Sequence, residues 1–236
     1  MDRPHILVTG TSRGIGAAIV DALQLQAETI GHATTEAPDR IAADLADPAA
    51  PRRLWDEAVD RLGGRVDVLV NNAGIFDPAP IGIDEESWHA AWMRALEINL
   101  VAAAALSRLA VLHWQDHGRP GRVVNVASRA AYRGDSPAYW HYAASKAGMV
   151  AMTKSIARGY AHQGILAFAI CPGFTMTGMA EDYLASRGGE GLLADIPLGR
   201  VATPEEVAET VRWLALEAPA SMTGAILDIN GASYVR

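Results

Sequence analysis

Tyr142 and Lys146 stand four residues apart in the run Tyr-Ala-Ala-Ser-Lys. If the segment is helical, their side chains share one face and can meet. An ammonium beside a phenol lowers the pKa of the phenol, and a fall of about three from the ordinary value corresponds to about 4 kcal/mol. A unit charge about 4 Å away at an effective dielectric of about 20 supplies energy of that order. Such a tyrosine can give a proton to a carbonyl oxygen or take one from an alcohol, although a chance pair on a surface helix fits the same spacing.

A glycine-rich turn near the N-terminus is the second chemical feature. The segment Thr9–Gly16 reads Thr-Gly-Thr-Ser-Arg-Gly-Ile-Gly, after a short apolar run and before an apolar segment of helical period. Glycines permit a tight turn and a close approach of backbone N–H groups to a pyrophosphate, and a helix N-terminus adds partial positive charge. The spacing G-x-x-x-G-x-G is not the commoner G-x-G-x-x-G, and such turns also serve plain strand-to-helix geometry. The position between strand and helix favours a site for a dinucleotide.

Composition restricts the class of protein. The chain has 236 residues, 50% of them hydrophobic, which suffices for one sizeable α/β domain or two small ones. A net charge of −7 argues against a general binder of nucleic acid or of anionic membranes. The single cysteine, Cys171, excludes an internal disulfide and a cysteine-based metal site, and we predict no metal. With no visible signal peptide or uninterrupted membrane-length apolar run, we expect a cytoplasmic protein.

Short apolar runs alternate with longer segments of helical period. The strand candidates are His5–Val8, Thr29–Ala33, Arg40–Ala43, Val66–Val70, Arg122–Val126, Leu166–Ile170 and Ile226–Ile229. The helix candidates are Gly16–Gln26, Pro51–Leu62, Asp84–His117, Ala138–His162 and Pro204–Leu216. Asp84 and Thr203 are expected N-caps, with Pro204 at the first helical position. This alternation predicts a single α/β domain over residues 1–236, a doubly wound parallel sheet of about seven strands with helices on both faces.

The second crossover of this sheet is unusually short. Only Thr34–Asp39 separates the second and third strand candidates, whereas a parallel crossover normally needs a dozen residues and usually a helix. Either the strand ends lie elsewhere or the crossover lacks its helix. We favour a missing helix, which would leave that flank of the sheet poorly covered.

Taken together and in order, the motifs resemble those of the short-chain dehydrogenases/reductases. They are Thr9–Gly16, Asp44 with Leu45, Asn71–Gly74, Asn99, Ser128, Tyr142–Lys146, Pro172 and Gly173 with Thr177, and the end segment Thr223–Gly231. The resemblance extends from Ile6 to the C-terminus and implies a Rossmann-type fold. Within the family, the run Thr-Ser-Arg-Gly-Ile-Gly and the ending Asn-Gly-Ala are most similar to bacterial 3-oxoacyl-[acyl-carrier-protein] reductases.

The resemblance implies a hydride transfer between a nicotinamide and a carbonyl or carbinol carbon. Tyr142 would be the general acid/base, and Lys146 would lower its pKa and bind the nicotinamide ribose. Ser128 would hold the substrate oxygen, and Asn99 would support a water that relays protons from Lys146. The hydride chemistry belongs to the cofactor, while the protein supplies orientation and the proton.

Each of these roles has a structural alternative. Ser128 could be an ordinary residue at a strand end, and Asn99 could merely tie a helix kink. The interval from Ser128 to Tyr142 is 14 residues, one more than is usual in the family, so we expect the loop Arg129–Tyr139 to absorb it. Tyr139, seven residues before Lys146, is less suited to the chemistry than Tyr142. We expect Tyr139 and the next two residues, Trp140 and His141, to shape the pocket or pack.

The resemblance also implies a set of cofactor contacts. Besides Tyr142 and Lys146, these are Gly10, Ser12, Arg13, Gly14, Ile15, Gly16, Thr34, Asp44, Leu45, Asn71, Ala73, Gly74, Pro172, Gly173, Thr175 and Thr177. The glycine-rich turn would hold the pyrophosphate, Asp44 the adenine amine, and the residues from Pro172 to Thr177 the carboxamide and pyrophosphate. Thr175 replaces a usual aliphatic residue.

The end of the second strand indicates which nicotinamide cofactor is used. NAD-specific members carry an aspartate there, which binds ribose hydroxyls and repels a 2′-phosphate. Here the strand end reads His-Ala-Thr-Thr, with no carboxylate before Glu36. Arg13 matches a position that favours phosphate, and Thr34 could add a hydroxyl. We therefore predict NADP(H), while NAD(H) stays open because Glu36 could reach the ribose, or Arg40 the phosphate, across the short crossover.

The sequence says less about the substrate. The segment of about residues 175–200 is expected to form a lid, with apolar members that suit an acyl chain or a cyclic ketone and that would equally pack a lid helix. These members are Met176, Met179, Leu184, Leu192, Leu193 and Ile196. Arg129 and Arg133 flank Ser128 and either favour an anionic or carrier-bound substrate or are solvated surface arginines.

Three functions are therefore in view. The leading one is an NADPH-dependent ketone or 3-oxoacyl reductase. The second is a dehydrogenase of a sugar, polyol, steroid or cyclic dihydrodiol, which the short crossover favours. The third is a non-catalytic dinucleotide sensor, which the presence of all four catalytic positions disfavours. Stretches of small residues such as Val101–Ala105 permit close helix packing, and the family implies a homotetramer or a homodimer.

Overall fold

The computed structural model of the chain describes residues 3–176 and 189–236. It contains a seven-stranded parallel sheet in the order β3-β2-β1-β4-β5-β6-β7. The strands are β1 (His5–Thr9), β2 (Glu28–Ala33), β3 (Arg40–Ala42), β4 (Val68–Asn71), β5 (Gly121–Val126), β6 (Ile165–Pro172) and β7 (Ile226–Ile229). All seven predicted strands and the doubly wound parallel sheet are thus confirmed.

Helices cover both faces of the sheet. They are α1 (Gly14–Leu23), α2 (Ala50–Arg61), α3 (Glu85–Leu96), α4 (Ala102–Asp116), α5 (Ala130–Arg133), α6 (Trp140–Tyr160), α7 (Gly189–Ala194) and α8 (Pro204–Leu216). A π-helical turn, Glu97–Val101, joins α3 to α4, and 3-10 turns lie at Ala161–Gln163 and Ala220–Met222. The predicted caps are present: the Asp84 carboxylate accepts from Ser87 N–H at 2.9 Å, and Thr203 forms a capping box with Glu206.

The alternation of side chains along the strands divides the core in two. On β1, Ile6 and Val8 point to the face covered by α1 and α8, while Leu7 points to the face covered by α2, α4 and α6. Successive strand residues point to opposite faces, so a strand buried on both sides must be apolar throughout. This is why the central strands are continuous apolar runs, and why polar residues cluster only where the strands end.

The crossover from β2 to β3 is as short as predicted. Residues 34–39, all within the described part of the chain, contain no helix. The chain doubles back beside β2, where Gly31 N–H donates to Asp39 O and Arg40 N–H to Ala37 O. The strand β3 is only three residues long and pairs with the last three residues of β2. The chain therefore has to run back along only half of β2, and six residues are enough for that. This part of the prediction is confirmed.

The long helical region from α3 to α4 contains the one helical stretch of the described chain that is both long and strongly apolar. Glu85–Asp116 has a stretch with a mean hydropathy of 1.7, which by length and composition alone would suffice to cross a membrane. Of that stretch, 56% is buried inside the fold. The sequence predicted one helix here, and the structure divides it at the π turn. A π turn is a one-residue insertion in an α-helix and often marks a functional site.

Gly121 at the start of β5 allows a test of how tightly α4 packs against the sheet. A Cβ there would lie 2.1 Å from the ring of Trp114, which is 1% exposed and donates through Nε1 to Val66 O. We expect Gly121→Ala to lower the free energy of unfolding by about 1–3 kcal/mol, because the ring must leave its place. Urea unfolding measures it. Gly159→Ala in α6 is the matched control: its Cβ meets no described atom within 4 Å, so it should be neutral or slightly stabilising.

Candidate active site

The predicted catalytic residues converge beyond the carboxyl ends of β1, β4, β5 and β6. Strand order reverses between β1 and β4, and in open α/β sheets ligands bind in the crevice at such a point. Ser128 follows β5, Asn99 lies in the π turn, and Tyr142 and Lys146 lie on the first turns of α6. The topology therefore brings together residues that are up to 47 positions apart in the chain.

Lys146 is buried beside the ring of Tyr142. Its side chain is 4% exposed, Nζ donates to Val126 O at 2.9 Å, and Nζ lies 5.8 Å from the centroid of the Tyr142 ring. Burial lowers the pKa of Lys146 to about 8. The helical spacing thus brings the pair together as predicted, with the ammonium anchored on the end of β5.

The protonation of Tyr142 differs from the prediction. Burial raises the pKa of Tyr142 to about 12, and the hydrogen bond from Ser128 is the main influence in the other direction. We expected Lys146 to lower the pKa of this phenol, but in this arrangement the anchored ammonium does not offset the burial. Tyr142 therefore carries its proton at neutral pH, which is the form required of a general acid.

Ser128 reaches Tyr142 despite the long interval between them. The helix α5 and a loop lie between the two residues, and Gly134 turns the chain there at a φ of 77°. The Ser128 hydroxyl also accepts from Ala130 N–H at 3.1 Å, which fixes its oxygen at the start of α5. The hydroxyl and the phenol are thus adjacent, so both can bind one carbonyl oxygen.

Asn99 connects the π turn to the loop after β4. Its Oδ1 accepts from Ile75 N–H at 2.8 Å, and its Nδ2 donates to Ile75 O at 3.0 Å and to Ser145 Oγ at 3.3 Å. The residue is fully buried, so these bonds use both ends of the amide. Asn99 therefore ties the π turn to the loop and to α6, and a role in a proton relay stays a prediction.

The glycine-rich turn is built for close backbone approach. Gly10 and Gly14 have φ values of 72° and 57°, which favour glycine. A Cβ on Gly10 would lie 2.8 Å from Ala73 Cα, and one on Gly16 would lie 2.0 Å from Gly10 O. Ser12 and Arg13 are exposed at the start of α1. Backbone N–H groups at this helix N-terminus are available to the phosphates of a dinucleotide, so the turn fits such a cofactor.

Thr9 and Asn72 form a clamp that sequence reasoning missed. The Thr9 hydroxyl accepts from the N–H groups of Asn72 and Ala73 at 3.0 and 2.9 Å. The Asn72 amide donates in return to the carbonyl oxygens of Thr9 and Gly10 at 2.9 and 3.0 Å. The glycine-rich turn and the loop after β4 are thus held together across the point where strand order reverses. A threonine that ends one strand opposite an asparagine that follows another is the only sequence signal.

His32 is a second residue whose role was missed. Its Nε2–H donates to Ala43 O at 3.0 Å, so Nδ1 carries no proton and accepts from Gly10 N–H at 3.3 Å. Its backbone carbonyl accepts from Thr11 N–H at 2.8 Å. The neutral imidazole therefore joins the glycine-rich turn to the ends of β2 and β3. An apolar strand interrupted by a histidine beside the turn was the available signal.

The remaining residues that we predicted to contact the cofactor fall into two groups, those with exposed surface and those that are buried. Thr34, Asp44 and Gly74 are exposed, and Ile15, Ala73 and Gly173 are partly exposed, all at this edge of the sheet. Leu45 instead packs into the core at 4% exposure, and Pro172 and Thr175 are also buried. Thr177, and with it Met179 and Leu184 of the expected lid, lies outside the described residues.

Asn71 belongs to a buried polar network beneath the site. Its Nδ2 donates to Asn125 Oδ1 at 2.8 Å and to Ser107 Oγ at 3.1 Å, and Asn125 donates to Thr153 Oγ1 at 2.8 Å. The network joins β4 and β5 to α4 and α6. We therefore interpret the Asn71 side chain as supporting the strand ends and not as a direct contact to a cofactor.

Arg129 and Arg133 both contact an acid near the expected lid. Arg133 Nη1 is hydrogen-bonded to Asp195, which follows α7, and Arg129 Nη1 lies 3.8 Å from the same carboxylate. The Arg129 guanidinium also lies 4.9 Å from the centroid of the Phe174 ring. Both arginines thus have an acidic partner within the protein, and a role toward an anionic substrate stays a prediction. They connect the loop after Ser128 to the segment that follows α7.

Comparisons with known proteins identify a matching family model and several relatives. A family model described as enoyl-(acyl carrier protein) reductase matches residues 11–232. The chain is 36% identical over 243 residues to the 3-oxoacyl-[acyl-carrier-protein] reductase of Vibrio cholerae, covering 97% of this chain and 96% of that protein. The nodulation protein G of a Rhizobium species is 37% identical over 237 residues, covering 95% and 94%.

A solved structure is similar over the whole chain. It is the crystal structure, with bound NADP, of a protein from Agrobacterium tumefaciens provisionally assigned as a 2-deoxy-d-gluconate 3-dehydrogenase. The TM-score is 0.88 at 30% sequence identity, and the match covers 100% of this chain and 98% of that one.

The His32 bridge predicts a dependence of stability on pH. Burial lowers the pKa of His32 from its ordinary 6.5, so the folded chain binds this proton less readily than the unfolded chain. The contribution of His32 to stability is therefore complete above about pH 6.5 and is lost as the pH falls below it. His32→Gln keeps a donor and an acceptor but does not titrate. Urea unfolding at about pH 8 and pH 5 measures this effect. On going to the lower pH, the free energy of unfolding should fall less for the variant than for the wild type. The exposed His89, changed to Gln, is the control, and an equal gain there would contradict this role.

Proposed function

Because the chain belongs to the short-chain dehydrogenase/reductase family and is thereby an NAD(P)-dependent oxidoreductase, we propose that it reduces a ketone with NADPH. The observation that carries this proposal is the cluster of Ser128, Tyr142 and Lys146 beside the glycine-rich turn. A 3-oxoacyl thioester is the leading substrate class, since relatives with 34–36% identity carry the name 3-oxoacyl reductase.

The residues of the site divide the work of the reaction. When bound, the nicotinamide supplies or accepts hydride. Gly10, Gly14 and the N-terminus of α1 would hold its pyrophosphate, and Lys146 its ribose. Ser128 donates a hydrogen bond to the substrate oxygen and keeps it beside Tyr142. Tyr142 then transfers its proton to that oxygen as negative charge develops on it.

The raised pKa of Tyr142 bears on how the reaction depends on pH. A phenol whose pKa is about 12 holds its proton throughout the neutral range, and the protonated form is the one that reduction of a carbonyl needs. Oxidation of an alcohol needs the phenolate, which this buried site disfavours. We infer that alcohol oxidation will be faster at alkaline pH than at neutral pH.

The cofactor preference rests on charge at the end of β2. Arg13 is exposed beside the glycine-rich turn, and Arg40 pairs with Asp39 at 3.1 Å, so Arg13 is the better partner for a 2′-phosphate. The similar Agrobacterium structure holds NADP. Glu36 lies exposed in the short crossover and is the acid nearest in sequence to the strand end.

A second candidate function is oxidation of a sugar acid or related alcohol. The overall similarity to a provisional 2-deoxy-d-gluconate dehydrogenase favours it. The family model is named for an enoyl reductase, a reaction at a C=C bond. The neighbouring hydroxyls of Ser128 and Tyr142 support carbonyl or alcohol chemistry in both candidates.

The assembly we propose is a homotetramer or a homodimer in the cytoplasm, with no nucleic acid or membrane partner. Val101 and Leu112 on the helical segment before and within α4 are 46% and 38% exposed. Leu198 and Val235 near the C-terminal strand are 55% and 76% exposed. Apolar side chains exposed on two separate faces suit contacts with further copies of the chain.

Tyr142→Phe tests the catalytic assignment. Removing the phenolic hydroxyl deletes the proton donor, so kcat should fall by about 10²- to 10⁴-fold with every ketone. Loss of NADPH absorbance over a panel of 3-oxoacyl thioesters, cyclic ketones and keto sugars measures it. Binding of NADPH, followed by its fluorescence, should change little. Retention of full activity would rule out Tyr142 as the acid.

Arg13→Gln tests the cofactor assignment. The loss of one charge-assisted hydrogen bond to a 2′-phosphate should raise KM for NADPH about 10-fold or more and leave KM for NADH unchanged. Arg40→Gln is the control and should have a smaller effect. A wild-type kcat/KM that is higher with NADH than with NADPH would show that the preference itself is wrong.

A further inference from the structure

The segment that follows β4 places an aromatic ring against Tyr142. The rings of Phe76 and Tyr139 are stacked, with centroids 3.9 Å apart and planes within 6°. Phe76 also meets Tyr142 at 78°, with centroids 4.7 Å apart. Phe76, Tyr139 and Tyr142 thus form one continuous surface, which we call the aromatic wall. All three residues keep some exposed surface, so the wall lies at the margin of the core.

The aromatic wall is anchored on both chain segments that supply it. Three contacts fix the first segment: Asn99 to the N–H and C=O of Ile75, His141 Nε2 to Asp77 O, and Ala79 N–H to Ala138 O. Their lengths lie between 2.8 and 3.0 Å. Phe76 lies between these anchored neighbours, so its backbone is held in place, and its ring is held by the stacking on Tyr139 and the edge contact with Tyr142. A rigid wall selects ligands by shape and polarity and does not adapt to them.

The anchoring also determines what the wall can bind. The backbone atoms of Ile75, Asp77 and Ala79 named above all bond within the protein and are not offered to a ligand. The side chain that this segment places against the Tyr142 ring is the apolar ring of Phe76. A substrate hydroxyl placed there would lose its bonds to water without replacement, whereas a flat apolar group would gain a stacking partner.

The position of the proton donor brings the substrate to this surface. A carbonyl oxygen that accepts from Tyr142 lies within about 3 Å of the phenolic oxygen. Ser128 takes the same oxygen from the side of β5, and Lys146 is anchored on Val126. A substituent of the carbonyl carbon that extends along the Tyr142 ring then meets Phe76, whose ring centroid lies 4.7 Å from that of Tyr142.

We propose that Phe76 and Tyr139 select substrates that carry a flat or apolar group on the reacting carbon, in preference to polyhydroxylated compounds. This rests on the proposed function and narrows its substrate class. It favours aryl, cyclic or acyl-substituted ketones and the corresponding alcohols over sugar acids. The similarity of the whole fold to a provisional sugar-acid dehydrogenase does not by itself extend to the choice of substrate.

The test compares two alcohols in the same assay. With NADP⁺ and the full-length protein, kcat/KM is measured for racemic 1-phenylethanol and for 2-deoxy-d-gluconate. The wild type should prefer 1-phenylethanol. Phe76→Ser should lower kcat/KM for 1-phenylethanol about tenfold and leave that for 2-deoxy-d-gluconate unchanged or raised. Phe76→Leu, which keeps an apolar side chain and secures folding, should show a smaller change in the same ratio.

Leu25→Ser is the matched control. Leu25 follows α1 at the opposite edge of the sheet and is 81% exposed, so the same change from apolar to polar should leave the ratio unaltered there. An equal loss for both alcohols in Phe76→Ser would overturn the proposal, because Phe76 would then only position Tyr142. A wild-type preference for 2-deoxy-d-gluconate would also overturn it. If the wild type binds NADPH but turns over no alcohol or ketone, the proposed function itself fails.

Discussion

The hydroxyl of Thr9 is the point on which the geometry of the site depends. It accepts hydrogen bonds from two backbone N–H groups of the loop after β4, at 3.0 and 2.9 Å. It thereby joins the ends of β1 and β4, which are neighbours in the sheet although the chain continues from them in opposite directions. Where strand order reverses, the loops that follow have no helix between them and would otherwise be independent. The Asn72 amide and the His32 imidazole extend this connection to the glycine-rich turn and the end of β3. One polar layer therefore aligns the cofactor side of the crevice with the catalytic side.

Burial has opposite effects on the two central titratable groups. It raises the pKa of Tyr142 to about 12 and lowers that of Lys146 to about 8, so each moves towards its neutral form. The low local polarity that stabilises the fold around α6 thus prepares an acid rather than a base. The hydrogen bond from Ser128 is the one influence within the catalytic cluster that favours phenolate. The chemistry of the pair depends on how these two effects balance, and the four-residue spacing alone does not decide it.

Most of the fold could be predicted from sequence because its signals are local. Continuous apolar runs indicate strands buried on both faces, and Asp84 and Thr203 indicate where helices begin. Tyr142, Lys146 and Ser128 could be found because helical spacing and motif order bring them together. The pKa of Tyr142 could not, since it depends on burial by segments far apart in the chain. The same holds for Thr9, Asn72 and His32, whose roles arise only when neighbouring strands are paired. Phe76 belongs with them, because its contact with Tyr142 joins residues 66 positions apart.

The π turn at Glu97–Val101 limits how this chain can change. An α-helix rotates by about 100° per residue, so deleting one residue from this turn would restore regular winding and rotate α4 relative to α3 by that angle. Asn99 would leave the Ile75 backbone, or the buried face of α4, which includes Leu106 and Ala110, would turn away from the sheet. Neither α3 with its π turn nor α4 can keep its contacts after such a rotation. The number of residues in this segment is therefore under stronger constraint than the identity of its residues. Substitutions on its exposed side are tolerable during divergence, while a single-codon deletion is not.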